Sequence, residues 1–230
     1  MNYNQWNEIA EPYCTAREEE GTELFNFLLP KLKEKAPNRI FDFGGGNGTF
    51  SAEYLAPNFR YIDSFDPCPA ITRAALETCA AVDNVNVLAD LNFAKWNTYD
   101  CVTMNAVWMC LKDRTECLGV LKNVNRLLVE NGTFFAVVTH PCFRDSKFST
   151  YITDFDATNY FRDGTRFNVD LLGNKQRVRI RDTHWSLGAM SEQLVLSGFN
   201  IEQLIEMPDE SDSVGPPWLI IVAIKRGANK

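Results

Sequence analysis

Residues 42–48 read Asp42-Phe43-Gly44-Gly45-Gly46-Asn47-Gly48. They lie between an apolar run that predicts a strand (Arg39 to Phe43) and a pattern that predicts a helix (Thr49 to about Leu55). Glycines there permit positive φ and a close backbone approach to a ligand. The following helix offers unpaired N–H groups. A pyrophosphate-binding turn requires G-x-G-x-x-G/A. The possible frames end at Thr49 and Ser51, so neither supplies the last small residue. Asp66 comes 24 residues after Asp42 and ends the next predicted strand. A carboxylate accepts two hydroxyl hydrogen bonds at once, which suits a ribose diol. Asp90 ends the third predicted strand. Taken singly, these are a tight turn, a helix cap and a loop acid; together they fall in order at successive strand ends.

Those residues need a frame. Residues 17–35 carry Leu24, Phe27, Leu28 and Leu32 at helical spacing, with Gly21 and Pro30 as irregular places. Strands are expected at 60–65, 86–89, 99–104 and 133–139, with helices at 70–80 and 114–129. Glu130-Asn131-Gly132 reads as the C-cap and turn of the second of these helices. The alternation predicts a doubly wound α/β fold, with ligands outside the carboxyl ends of the strands. From 141 to about 183 the periodicity breaks, and Arg177, Arg179 and Arg181 alternate with Val178 and Ile180 as on a half-exposed strand. That row could bind an acidic substrate or be a solvated face. A helix at 186–197 and strands at 199–205 and 218–224 close the chain.

The pattern Asp42-x-Gly44-x-Gly46-x-Gly48 resembles motif I of class I S-adenosylmethionine-dependent methyltransferases, in their small-molecule branch. The resemblance covers most of the chain. It extends to Tyr99-Asp100-Cys101-Val102 and Asn105-Ala106-Val107-Trp108, and to the helix and strand around Leu121–Thr133, where Glu130-Asn131-Gly132 replaces the family's Pro-Gly-Gly. It implies a Rossmann-like seven-stranded sheet, mostly parallel with an antiparallel last strand and helices on both faces. The expected organisation is one domain, 1–230, with residues 1–35 as a helical cap and 141–185 as a substrate-region insertion. It implies S-adenosylmethionine as methyl donor and S-adenosylhomocysteine as product. The expected cofactor residues are Tyr13, Asp42, Gly44, Gly45, Gly46, Gly48, Asp66, Pro67, Asp90, Leu91, Asn105, Ala106 and Val107, with Asp90 beside the adenine amino group. The family reaction is an in-line displacement in which positioning is the protein's main task. His140 and His184 are the candidate bases where the acceptor must lose a proton. Tyr3, Trp108, His140, Phe143, His184 and Trp185 are the candidate acceptor contacts; for Trp108 core packing competes. Rival readings are a nicotinamide-dependent Rossmann reductase, a non-catalytic S-adenosylmethionine-binding module and a protein methyltransferase, the last lacking Asn-Pro-Pro-Tyr after strand four.

Bulk composition sets further bounds. The 230 residues carry a net charge of −7, which argues against a nucleic-acid partner. Seven scattered cysteines without a C-x-x-C pair, and two distant histidines, suit a reducing compartment and argue against a metal site. The first residues resemble no signal peptide, and the longest apolar run is far short of the ~20 residues that span a bilayer. The expectation is a soluble cytoplasmic monomer or homodimer acting on a small molecule.

Overall fold

The computed structural model describes residues 4–172, 177–208 and 215–227; within the first helix, side chains are described for 6–13 and from 22 onward. A seven-stranded sheet has the order β3-β2-β1-β4-β5-β10-β9. Its strands are β1 (Arg39–Phe43), β2 (Tyr61–Phe65), β3 (Val85–Leu88), β4 (Tyr99–Asn105), β5 (Leu128–Thr139), β9 (Phe199–Met207) and β10 (Trp218–Lys225). The pairings among β1 to β5 are parallel, and β10 runs antiparallel to both β5 and β9. The expected mostly parallel Rossmann-like sheet is therefore present. Strand order reverses between β1 and β4, so a crevice opens at their carboxyl ends.

Helices α1 (Asn4–Glu34), α2 (Pro69–Thr78), α3 (Arg114–Leu127) and α4 (Leu187–Leu196) pack around this sheet. Leu28 and Leu32 of α1 are fully buried, each worth about 1.5–3 kcal/mol of apolar transfer. Cys117, Leu121 and Val124 of α3 and Leu194 of α4 are buried likewise.

Three expectations are corrected. The first helix begins at Asn4 rather than 17 and runs through Pro12 and Pro30. Its early turns hold because Trp6, Ala10 and Tyr13 share one face and pack on Cys68 and Ile71. The segment after the glycine loop is a π-helical turn, Phe50–Leu55, in which Ala56 N donates to Ser51 O. The third helix ends at Leu127, and no cap forms at 130–132. The chain passes directly into β5, where Tyr99 pairs with Leu128 and Cys101 with Thr133. The register shift between them is taken up at Asn131, φ +62°. Asparagine tolerates that left-handed conformation better than most residues.

The irregular segment forms a second, three-stranded antiparallel sheet in the order β6 (Tyr151–Thr153), β7 (Arg166–Leu172), β8 (Arg177–Thr183). The alternation read at 177–181 is real: Val178 and Ile180 are buried, while Arg177, Arg179 and Arg181 are exposed. Phe167, Val169 and Leu171 of β7 are buried in the same core.

Candidate active site

The glycine loop is tied to the neighbouring strand end by its backbone. The amides of Gly44 and Gly45 both donate to Phe65 O, at 2.7 and 3.1 Å. Gly44 has φ +75°, and a Cβ there would lie 2.3 Å from Val107 Cγ2. Gly46 has φ +58°, and a Cβ there would meet nothing within 4 Å. Gly44 thus lets two loops touch, and Gly46 opens onto space. Gly45 sits against Ser64 and Asp42, and Gly48 against Ala75 of α2 and Cys79 at its C-cap, so these two serve packing.

Two acids hold the loop from beneath and beside it. Asp42 is 1% exposed and accepts hydroxyl hydrogen bonds from Ser51 and Thr103, both at 2.8 Å. Burial raises its pKa to about 6 against the pull of those two donors. Asp66 accepts from Gly46 N through Oδ2 at 3.2 Å and from Cys68 N through Oδ1 at 2.9 Å. Burial likewise raises its pKa to about 6. Each Asp66 oxygen keeps a second lone pair.

A cavity of about 490 Å³ covers these carboxyl strand ends. Gly44, Gly46, Asp66, Pro67, Asn105, Ala106 and Val107 line it, and Trp6 and Tyr13 of α1 reach it. Their rings meet edge to face at 4.9 Å. The volume lies within the ordinary range for small-molecule sites. Asn105 Oδ1 is buried without a hydrogen-bond partner among the described residues. Ala106 holds φ +54°, a strained backbone of the kind that clusters at functional sites. Asp42 and Gly45 line a smaller adjoining cavity with Tyr13 and Asn105. A second small chamber shares Trp6, Tyr13, Ala106 and Cys110 with the main cavity and adds Thr139, Tyr151, Asp182 and Trp218.

Other expected site residues lie elsewhere. Asp90 and Leu91 are outside the main lining; Asp90 Oδ1 accepts from Asn92 N at 2.7 Å and so caps a short 3₁₀ turn. Trp108 is completely buried and donates to Gln193 Oε1 of α4 at 3.1 Å, so core packing is its role. Trp185 is 3% exposed and also belongs to the core. Tyr3 lies outside the described residues.

Neither histidine lines the cavity. His140 Nε2 meets Glu206 Oε1 at 3.1 Å, its Nδ1 accepts from Cys142 N at 3.2 Å, and its ring packs on half-buried Phe143. His184 is fully buried, stacks on Phe155 at 4.5 Å, and its Nε2 lies 2.8 Å from Tyr160 O. Burial holds both imidazoles below their ordinary pKa of 6.5. The strand-end rule placed His140 at the right edge of the sheet, but its ring turns toward β9.

The cavity also contains residues that sequence reasoning passed over: Cys110, Leu111, Lys112, Asp113 and Glu116 after β4, and Arg166 on β7. Those at 110–116 follow a strand end and were open to the same rule. Arg166 lies in the aperiodic segment and carries no local signal. Among the described residues, no cluster of His, Cys, Asp and Glu could hold a metal ion, and no helix is long and apolar enough to cross a membrane.

Known proteins agree with this architecture. A family profile described as "Methyltransferase domain" matches residues 13–204. No curated protein sequence matches the chain. Among solved structures, an S-adenosylmethionine-dependent methyltransferase from Clostridium acetobutylicum aligns with TM-score 0.68 and 13% identity over 97% of this chain and 100% of its own. The CcbJ methyltransferase from Streptomyces caelestis aligns with TM-score 0.69 and 14% identity over 99% and 100%. A DhpI–SAH complex aligns with TM-score 0.61 and 13% identity over 97% and 94%. At such identities the structures establish a shared fold, while the profile spans most of the chain: it belongs to the methyltransferase-domain family.

Proposed function

We propose that the chain transfers a methyl group from S-adenosylmethionine to a small-molecule acceptor, with the donor in the cavity above β1, β2 and β4. One observation carries this reading. The cavity brings together a Cβ-free approach at Gly46, a two-oxygen acceptor in Asp66, and the unpartnered buried Oδ1 of Asn105. These groups fit a donor with a ribose diol and an ammonium. An unpaired buried acceptor costs about 1–3 kcal/mol, which an ammonium donor would relieve.

On this reading Asp66 takes the ribose hydroxyls through its two free lone pairs. Asn105 takes the amino-acid end of the donor, and Gly44 keeps Val107 against the loop so that the cavity floor stays in place. When bound, S-adenosylmethionine supplies a methyl group already activated on a sulfonium. Trp6 and Tyr13 close the α1 side, exclude water and present ring faces, which favour cations. His140 and His184 act through the fold rather than as bases, because both are packed away from the cavity. Residues 141–185 supply the acceptor side of one domain, 1–230. The acidic composition argues against a nucleic-acid substrate, and the scattered cysteines suit a cytoplasmic enzyme.

Calorimetric titration with S-adenosylhomocysteine tests the donor reading. The expected result is one site per chain in the wild type, and binding weakened at least about a hundredfold in Asp66→Ala. Unchanged affinity in the variant removes Asp66 from the site, and no binding to the wild type refutes the reading.

A further inference from the structure

Four arginines share the outer face of β7 and β8: Arg166, Arg177, Arg179 and Arg181. They fall into two pairs with opposite electrostatic situations. Arg177 and Arg179 both bond Asp170, Arg179 through two contacts at 2.8 and 2.9 Å. Arg166 and Arg181, one rung further along the ladder, line the cavity, and neither has a carboxylate within ion-pair distance among the described residues. Arg166 Nη2 donates to Arg181 O at 3.2 Å, which fixes the half-buried Arg166 beside its neighbour. Its Nε is buried with no partner among the described residues.

The acids on the same cavity are already engaged. Asp66 serves the glycine loop. Asp113 accepts from Glu116 N at 2.9 Å and lies 3.8 Å from Lys112 Nζ, while Glu116 Oε2 accepts from Lys112 N at 2.8 Å. What remains is a pair of guanidinium groups on one wall, one with an unsatisfied buried N–H. Guanidinium presents a planar fork that matches carboxylate and phosphate oxygens and retains its charge at any ordinary pH. Two neighbouring like charges without a counter-charge also repel, and an anion between them removes that repulsion.

Resting on the methyl-transfer reading of this cavity, we infer that the acceptor carries an anionic group, a carboxylate or a phosphate, held by Arg166 and Arg181. The remaining wall, with Ile71, Leu111, Trp6 and Tyr13, suits an apolar body attached to that group.

The test uses the full chain saturated with S-adenosylhomocysteine and three probes: benzoate, phenyl phosphate and benzamide. Calorimetry is expected to show at least one anion binding about tenfold or more tighter than the neutral benzamide. The preferred anion names the group as carboxylate or phosphate. In ¹H–¹⁵N spectra of the wild type, that anion shifts the Nε–H signals of Arg166 and Arg181 and leaves Arg177 in place. The double variant R166Q/R181Q loses the preference while binding S-adenosylhomocysteine within about twofold of wild type, and R166K/R181K keeps part of it. Equal binding of all three probes, or an anion preference that survives in R166Q/R181Q, overturns the inference. Should the double variant fail to fold, the wild-type spectra decide alone. A wild type that does not bind S-adenosylhomocysteine overturns the donor reading instead, and the same three probes are then titrated into the free chain to judge the arginine pair on its own.

Discussion

On one side of the cavity the chain uses backbone and two carboxylates, the buried Asp42 and the half-buried Asp66; on the other it uses long arginine side chains on a small separate sheet. The loop at 44–48 is fixed by two amides on Phe65 O, by Asp66 on Gly46 N, and by Asp42 locked between two hydroxyls. There is little freedom there, because any Cβ at Gly44 collides with Val107. The β7–β8 wall instead presents long cationic side chains, of which Arg166 and Arg181 have no carboxylate partner among the described residues. The first construction suits a ligand that does not vary, and the second suits one that sets specificity. The two sides should therefore respond differently to substitution.

The largest effect is expected at Gly44. Gly44→Val adds a Cβ at φ +75° and a contact 2.3 Å from Val107. It should cost about 2–4 kcal/mol of stability and lower S-adenosylhomocysteine affinity at least about a hundredfold. Urea unfolding and calorimetry measure the two losses. Adding Val107→Ala relieves the clash but not the φ strain, so the double variant should recover only part. Full recovery would mean that the left-handed backbone at 44 is not required.

Next in size is the pH dependence of donor binding. Asp66 carries a pKa raised to about 6 by burial, so its carboxylate is lost as the pH falls through that value. Below about pH 6, affinity for S-adenosylhomocysteine should fall about tenfold per pH unit, and Asp66→Asn should abolish that slope while binding weakly throughout. A flat wild-type profile between pH 7 and 5 would exclude the carboxylate as the ribose acceptor. Asp42 has the same raised pKa but lies under the loop. A carboxyl raised in the fold stabilises it most at low pH, and that contribution is lost as pH rises through about 6.

The contrast also marks what the amino-acid order could reveal. Glycines at fixed offsets from Asp42, and acids at successive strand ends, are local signals, so the sheet and most of the glycine-loop side of the cavity were legible. Asp90 fell outside the main lining because its carboxylate turns to cap the next 3₁₀ turn, a choice made by local geometry. The end of α3 was misread because a left-handed Asn131 serves a register shift as readily as a cap. His140 and His184 were misleading for a different reason. Residue type and strand-end position say nothing of where a ring points, and both point into packed surroundings. Arg166 was invisible because its pairing with β8 depends on contacts made only after the chain has folded.

The histidines give a smaller, discriminating effect. His140→Asn and His184→Asn should keep turnover within about threefold of wild type, whereas losing a general base costs about 10²–10⁴-fold. A loss of that size in either would restore that residue as a base. Both imidazoles have lowered pKa values, so the stability they contribute is complete above pH 6.5 and is lost as pH falls below it. Each variant should reduce acid sensitivity in that window in thermal melts.

The smallest effect is expected at Asp170, and it separates scaffold from site on a single sheet face. Arg179 and then Arg177 hold its carboxyl well below the usual range. Its contribution is therefore complete above about pH 4 and is lost as pH falls further. Both arginines are more than half exposed, at 57% and 66%, so water and salt screen the cluster heavily. Asp170→Asn should lower Tm by no more than about 3 °C at neutral pH, and the difference should begin to shrink only as pH falls below about 4. Donor affinity should not change, because Arg177 and Arg179 do not line the cavity. Binding of benzoate or phenyl phosphate should rise only slightly, since the freed guanidiniums lie on solvent and are screened over about 8 Å in physiological salt. A large gain in anion binding in D170N would mean that all four arginines act as one field, and the division between a neutralised pair and an open pair would fail.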